Sequence, residues 1–114
     1  PQLEHIGIAV NDVDAVTRCF EALLGTEPYK LKLEFLEALG PDSPVQRFLD
    51  RRGEGLHHLA FEVADLAATM EALREAGFEL LSEQPQAGAD DKQIAFVHPK
   101  QTHGVLVEFC ESRT

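Results

Sequence analysis

The chain repeats one short pattern, and this duplication limits the folds it can adopt more than any other feature does. The hexapeptide HIGIAV, which begins at His5, is echoed by HLAFEV, which begins at His58, and an aspartate follows each histidine by seven residues. Each half later places a glutamate between two apolar residues, Glu34 in the first and Glu108 in the second. We therefore predict a duplicated strand-to-helix unit.

In both copies the histidine lies at the start of a predicted strand that leads into a predicted helix. Apolar side chains alternate along residues 5–10 and 58–63, which is the period of a strand with one buried face. Asn11 or Asp12 could cap a helix in the first half, and Asp65 could do so in the second. Apolar residues then recur at helical spacing, and Gly25 or Gly77 supplies a stop. Strand and helix types thus match between the halves.

The halves differ after their helices. In the second half, turns containing glycine or proline separate three predicted strands at Phe78–Ser82, Ile94–His98 and Val105–Cys110, so its plan is βαβββ. In the first half, residues 25–36 leave space for only two strands there. One strand of the βαβββ plan is therefore missing from the first half.

The difference in length between the two halves indicates that residues are missing at one junction, between Lys30 and Leu31. His5 and Glu34 are 29 residues apart, whereas His58 and Glu108 are 50 apart, so the first half is 21 residues shorter. Either evolution removed a hairpin near Lys30, or the 114-residue sequence omits about one hairpin's worth of flexible residues between Lys30 and Leu31. We favour omission, because losing a central strand would expose sheet edges that folds normally protect.

Length predicts one α+β domain over residues 1–114, with module one at 1–39, a connector at 40–55 and module two at 56–114. Within the connector, Gly40–Pro44 is a turn or cap cluster, and Val45–Arg52 is a predicted short helix. The two modules must share one core, because neither is large enough to build its own.

Charge and composition exclude several functions. Ten basic and 20 acidic residues give a net charge of −10, which opposes nucleic-acid binding. No apolar run approaches the roughly 20 residues that span a bilayer, and we expect no signal peptide, so a cytoplasmic protein without a membrane partner is predicted. Cys19 and Cys110 lie in no paired framework, and we expect two reduced thiols.

Strand parity predicts a metal site. His5, His58, Glu34 and Glu108 each lie on the strand face opposite the apolar neighbours. If the apolar faces pack beneath the helices, the other faces can bring two imidazoles and two carboxylates together. A lone strand histidine is usually a surface or hydrogen-bonded residue, but four candidates at equivalent places favour a metal site.

The ligand types limit the ion. Mixed nitrogen and oxygen donors favour cobalt(II), manganese(II), zinc or iron(II) over calcium, with open positions for substrate or water. The residues alone leave these four ions open. His57 points to the other face of its strand from His58, so we expect it either to be structural or to hold a metal ligand in position.

Four segments beyond the histidine strand carry a family resemblance. The chain resembles the vicinal oxygen chelate superfamily and, within it, the methylmalonyl-CoA epimerase family, over essentially its whole length. The histidine strand identifies only the superfamily. The segments that narrow the resemblance are Leu39–Val45, Arg52–His58, Ile94–Lys100 and Gly104–Glu108.

The resemblance implies a fold, an activity and a site. It implies paired βαβββ modules in a cupped mixed sheet around one metal, held by His5, His58 and Glu108, with Glu34 as a fourth ligand. It also implies an acyl-CoA substrate, methylmalonyl-CoA, that is inverted at carbon 2 through a thioester enolate, and a homodimer. Glu108 is implied as one of two acid–base groups, and the opposing carboxylate is expected in the shortened stretch.

Because the chain is acidic and repels anions, an anionic CoA ester needs cationic side chains close to its binding site. Arg47, Arg51, Arg52 and Lys100 are the candidates, and a solvated charged surface is the alternative for each. Two other functions stay open. One is a different activity of the same superfamily, such as a glyoxalase or dioxygenase, and the other is a metal-binding or ligand-binding module without turnover.

Overall fold

The computed structural model describes residues 1–25 and 32–112. They contain three α-helices, one short 3₁₀ helix and six strands, in a mixed α+β arrangement, and they form two compact units. The first unit is His5–His57, and the second is Pro1–Glu4 with His58–Thr114. The helices are α1 (Val13–Leu24), α2 (Pro44–Arg52) and α3 (Leu66–Glu75); the strands are β1 (Gln2–Ala9), β2 (Lys32–Leu36), β3 (Gly55–Glu62), β4 (Gln86–Ala87), β5 (Lys92–Val97) and β6 (Val107–Ser112).

In the first unit, β1 and β2 run parallel with one helix against them. The register pairs Ile6 with Leu33 and Ile8 with Phe35. The Phe35 ring packs on Phe20 of α1, with centroids 5.2 Å apart. The apolar face of this pair of strands therefore lies against α1, as parity predicted.

In the second unit, β3 and β6 are parallel, and β5 and β4 extend this sheet in antiparallel order. Its core joins Leu66 and Met70 of α3 to Ala95 of β5, with Phe109 of β6 packed against them. Since Phe109 faces α3, its neighbour Glu108 lies on the other face of β6. The helices of both units thus cover the strand faces that the sequence marked as apolar.

The two helices that follow the histidine strands begin in the same way. Asp12 caps α1 by accepting a hydrogen bond from the backbone N–H of Ala15 at 3.1 Å, and Asp65 caps α3 by accepting from Ala68 at 3.0 Å. Both are the aspartates predicted from the repeat. An aspartate at this position satisfies a helical N–H that has no partner within the helix.

A second carboxylate completes each of these helix starts. Glu37, just after β2, accepts from the N–H of Val13 at 2.8 Å, and Glu111 of β6 accepts from the N–H of Leu66 at 2.6 Å. The sequence analysis missed both residues. Their signal was available, because each follows the glutamate of its half by three residues.

Most predicted elements are confirmed, and one is wrong. The connector helix is α2, with Ser43 accepting from the N–H of Gln46 at 3.1 Å. The predicted strand at Phe78–Ser82 is reduced to a single bridge between Leu80 and Val97, and β4 takes the outer position in the sheet. The Lys30–Leu31 junction lies outside the described residues.

The observed burial of the strand residues differs from what is expected if only the helix-covered face of each strand is buried. His5, Ala9, His58, Ala60 and Glu108 belong to the most buried residues of their strands, whereas the apolar residues between them are partly exposed. Small side chains at several of these positions let neighbouring groups close over them. The polar groups of this face are therefore shielded from water, which a simple alternation rule does not predict.

Within residues 1–25 and 32–112, no helix has the length and apolar character needed to cross a membrane.

An ion pair in the second unit fixes the start of β1. Lys92 Nζ lies 3.0 Å from Glu4 Oε1, and the side chains are 13% and 12% exposed. Burial disfavours the ammonium charge, but Glu4 outweighs this effect, so the pKa of Lys92 lies above its ordinary value of 10.5. The stabilisation is therefore fully present below pH 10.5 and is lost as the pH rises through the raised pKa.

We predict that Glu4→Gln and Lys92→Met are coupled. Each single change removes this ion pair and leaves the charge of the other member largely buried, so the double variant should recover roughly 1–2 kcal/mol relative to the sum of the single losses. Urea unfolding of the four proteins at pH 7 measures this coupling. Additive losses would show that the pair does not stabilise the unit.

The two cysteines should differ sharply in reactivity. Cys110 is fully buried and its thiol donates to the carbonyl of Phe61 at 3.6 Å, and burial raises its pKa to about 11, whereas Cys19 is exposed on α1. We predict that iodoacetamide at pH 8 alkylates Cys19 at least about tenfold faster than Cys110. Mass spectrometry of timed samples gives both rates, and equal rates would contradict the burial of Cys110.

Candidate functional site

The first unit places an imidazole beside a carboxylate. His5 Nδ1 of β1 lies 3.3 Å from Glu34 Oε2 of β2. The His5 side chain is only 7% exposed, and that of Glu34 is 29% exposed. Two of the four predicted ligands are thus brought together on one face of a parallel strand pair.

The second unit repeats this arrangement. His58 Nε2 of β3 lies 3.6 Å from Glu108 Oε1 of β6, and both side chains are buried. The ring of Phe96 meets the His58 imidazole at an interplanar angle of 86°, with centroids 6.2 Å apart. The other two predicted ligands therefore form a pair that is shielded from water. The sequence analysis missed the aromatic neighbour of this pair, Phe96.

The same register produces both pairs. Glu34 lies opposite Gly7, two residues after His5, and Glu108 lies opposite Ala60, two residues after His58. Since residues two apart share a strand face, each carboxylate leans diagonally toward its histidine. The small residue at the intervening position leaves room for this approach.

The donor set suits a divalent ion. The described residues include a possible metal site of histidine and glutamate side chains, and each unit holds one imidazole–carboxylate pair. Nitrogen and oxygen donors of this type bind transition metals and zinc. Shielding the pairs from water strengthens their attraction for a cation.

His57 is confirmed on the other face of β3. Its ring packs edge-on against Phe48 of α2, with centroids 4.9 Å apart, and burial lowers its pKa. The Arg52 guanidinium also lies over the Phe48 ring, at 5.7 Å from the centroid. This stack attaches the connector helix α2 to β3, so His57 has a structural role.

The remaining candidates for substrate binding are exposed. Arg47 donates to the carbonyl of Asp42 at 2.7 Å, which holds it on the α2 surface. Arg51 and Arg52 lie in the last turn of α2, and Lys100 lies in the 3₁₀ helix Pro99–Thr102. The three arginines thus belong to the first unit and Lys100 belongs to the second.

Three comparisons relate the chain to known proteins. Residues 27–96 match the model of the glyoxalase/bleomycin resistance protein/dioxygenase superfamily. The chain is 38% identical to the uncharacterized protein YqjC of Bacillus subtilis, over 98% of this chain and 93% of that protein. It is 35% identical to the ethylmalonyl-CoA/methylmalonyl-CoA epimerase of Cereibacter sphaeroides, over 94% of this chain and 95% of that enzyme.

A solved structure extends the likeness to the fold. A variant of the Streptomyces coelicolor methylmalonyl-CoA epimerase, in complex with 2-nitronate-propionyl-CoA, superposes with a TM-score of 0.91 at 33% identity, covering 99% of this chain and 98% of that one. The two sequence alignments run over 130 and 127 residues, more than the 114 of this chain. They therefore include positions at which this chain has no residue.

We predict that Ala60→Val weakens metal binding by about tenfold, because the added methyl groups occupy the space through which Glu108 reaches His58. Ala95→Val is the matched control, since Ala95 is equally buried but faces α3. Both variants should lose about 1–3 kcal/mol of stability through overpacking. Competition with a chelator measures cobalt(II) affinity, and equal affinities for the two variants would contradict the role of Ala60.

Proposed function

We propose that this chain, which belongs to the glyoxalase/bleomycin resistance protein/dioxygenase superfamily and within it to the methylmalonyl-CoA epimerase family, interconverts (R)- and (S)-methylmalonyl-CoA. Enzymes of this family are isomerases. Relatives with this name match the chain over nearly its whole length. A structural neighbour in complex with methylmalonyl-CoA supports a CoA ester as substrate.

The observation that carries the proposal is the buried pair of His58 and Glu108. Carbon 2 of methylmalonyl-CoA lies between a thioester and a carboxylate, so its proton is weakly acidic and a carboxylate base can remove it. Glu108 is the described carboxylate that we assign to one face of carbon 2. Glu108 is only 6% exposed, so bulk water does not surround the reacting group.

We assign His5, Glu34, His58 and Glu108 as the ligands of one divalent ion, with cobalt(II) preferred and manganese(II) or zinc as alternatives. The support is that each unit places an imidazole close to a carboxylate, at 3.3 Å in the first and 3.6 Å in the second, and that both histidines and Glu108 are buried. When bound, the ion would supply Lewis-acid stabilisation of the negative charge that develops on the substrate's thioester oxygen.

Inversion needs a second acid–base group on the opposite face of carbon 2. We place it in the stretch between α1 and β2, where the first half is 21 residues shorter than the second. Alignments longer than the chain support the view that relatives carry residues missing here. Residues 26–31 lie outside the described part of the structure, so the group is assigned only to this stretch.

The anionic part of the substrate requires cations at the surface. We propose Arg47, Arg51, Arg52 and Lys100 as contacts for its phosphate or carboxylate groups. All four are exposed, and Arg51 and Arg52 lie side by side at the end of α2. Guanidinium groups suit this role because they bind oxyanions with two parallel hydrogen bonds.

We further propose that the chain works as one domain in a cytoplasmic homodimer. The family resemblance supports the dimer, and the acidic composition supports a partner that is a small molecule and not a nucleic acid.

We predict that the full-length protein, loaded with cobalt(II), exchanges the carbon 2 proton of methylmalonyl-CoA with deuterium. Glu108→Gln should lower this exchange at least about 100-fold, because it removes the proposed base. Glu111→Gln is the matched control, since Glu111 lies three residues along the same strand but caps α3. It should lose stability and keep the exchange activity.

The outcomes separate the alternatives. Metal binding without exchange by the full-length protein would contradict the epimerase and favour a binding module. Oxygen consumption with bound iron would favour a dioxygenase. The coding sequence across Lys30 and Leu31 should encode a strand with a glutamate, and an uninterrupted join would leave the proposed inversion without its second group.

A further inference from the structure

The position of Phe96 is not explained by the packing of β5 against α3. In the β5–β6 register its Cα lies opposite that of Glu108, and its ring meets the His58 imidazole edge-on, with centroids 6.2 Å apart. One aromatic side chain is therefore a neighbour of both members of the buried pair. We propose that Phe96 is a positioning residue that fixes the His58 imidazole for metal binding; this inference rests on the proposed function.

The face on which Phe96 lies supports this role. The adjacent Ala95 faces α3 and belongs to the hydrophobic core of the unit, so Phe96 lies on the opposite face of β5. The aromatic pair on the core side consists of Phe61 and Phe109, with centroids 6.1 Å apart. Phe96 thus adds little to the packing of α3, and its ring instead contacts the His58 imidazole.

A histidine ligand needs its ring orientation held. The second torsion of a histidine side chain is broad, so the backbone alone does not fix which nitrogen faces an ion. An edge-to-face contact at about 4.5–7 Å is a favourable aromatic geometry, and it restricts rotation of both rings. Phe96 therefore selects the orientation in which His58 Nε2 is directed at Glu108.

The ring also excludes water from one side of the pair. His58 is 7% exposed and Glu108 is 6% exposed, although Phe96 is itself only partly buried. Without this cover, water would reach the imidazole and compete with the carboxylate and with an ion. Groups that orient a metal ligand typically change metal affinity by about 10–100-fold when they are removed.

Three variants test the proposal with cobalt(II) as the probe. Phe96→Leu removes the ring but keeps an apolar side chain, and Phe96→Tyr keeps the ring. Phe61→Leu removes a ring from the opposite face of β3, the strand that carries His58. Chelator competition gives the affinity of the metal-free protein for cobalt(II), and the visible absorption bands of the bound ion report its ligand geometry.

We expect Phe96→Leu to bind cobalt(II) about tenfold more weakly and with shifted bands. Phe96→Tyr and Phe61→Leu should stay within about twofold of the parent affinity with unchanged bands, although Phe61→Leu should lower the melting temperature. A merely structural role for Phe96 would lower the melting temperature and leave the bands unchanged. If Phe96→Leu does not fold, Phe96→Met replaces it with the same expectations.

The result is separable from a failure of the proposed function. Parent protein that binds cobalt(II) and exchanges the substrate proton, together with unaltered affinity and bands in Phe96→Leu, overturns the positioning role and leaves the epimerase intact. Parent protein that neither binds cobalt(II) nor exchanges the proton overturns both.

Discussion

The candidate site depends on the register of two parallel strand pairs. In each pair the glutamate faces the residue two positions after the histidine, which is Gly7 in one unit and Ala60 in the other. A slip of one residue would move the carboxylate to the helix-covered face, because side chains alternate along a strand. Packing of the apolar neighbours against the helices therefore favours one register, and this register sets the distance between imidazole and carboxylate.

The helices maintain this register from the opposite face. Phe35 packs on Phe20 of α1, and Phe109 packs on the core beneath α3. Each packed residue is the immediate neighbour of a proposed ligand, so any movement of the hydrophobic side chain is transmitted to the carboxylate through the backbone. Stability and ligand geometry are in this sense properties of the same short strand segments.

Local patterns in the sequence predicted the elements that depend on short-range interactions. The caps at Asp12 and Asp65, the helix start at Ser43 and the facing of both histidine–glutamate pairs all follow from alternation, helical spacing and turn chemistry. What sequence reasoning missed depends on pairing between distant segments. The segment at Phe78–Ser82 has the composition of a strand, but its pairing is limited to the Leu80–Val97 bridge and two flanking backbone hydrogen bonds, from Leu81 to Phe96 and from His98 to Glu79. The contact between Phe96 and His58 likewise depends on how β3, β6 and β5 pair.

The carboxylates at the starts of α1 and α3 also give part of the acidic composition a structural role. Asp12 and Glu37 accept hydrogen bonds at the beginning of α1, and Asp65 and Glu111 do so at the beginning of α3. The positive end of each helix dipole offsets these charges. Four of the 20 acidic residues therefore have a structural role, and substitutions that reduced the net charge of −10 at these positions would also weaken the helix starts.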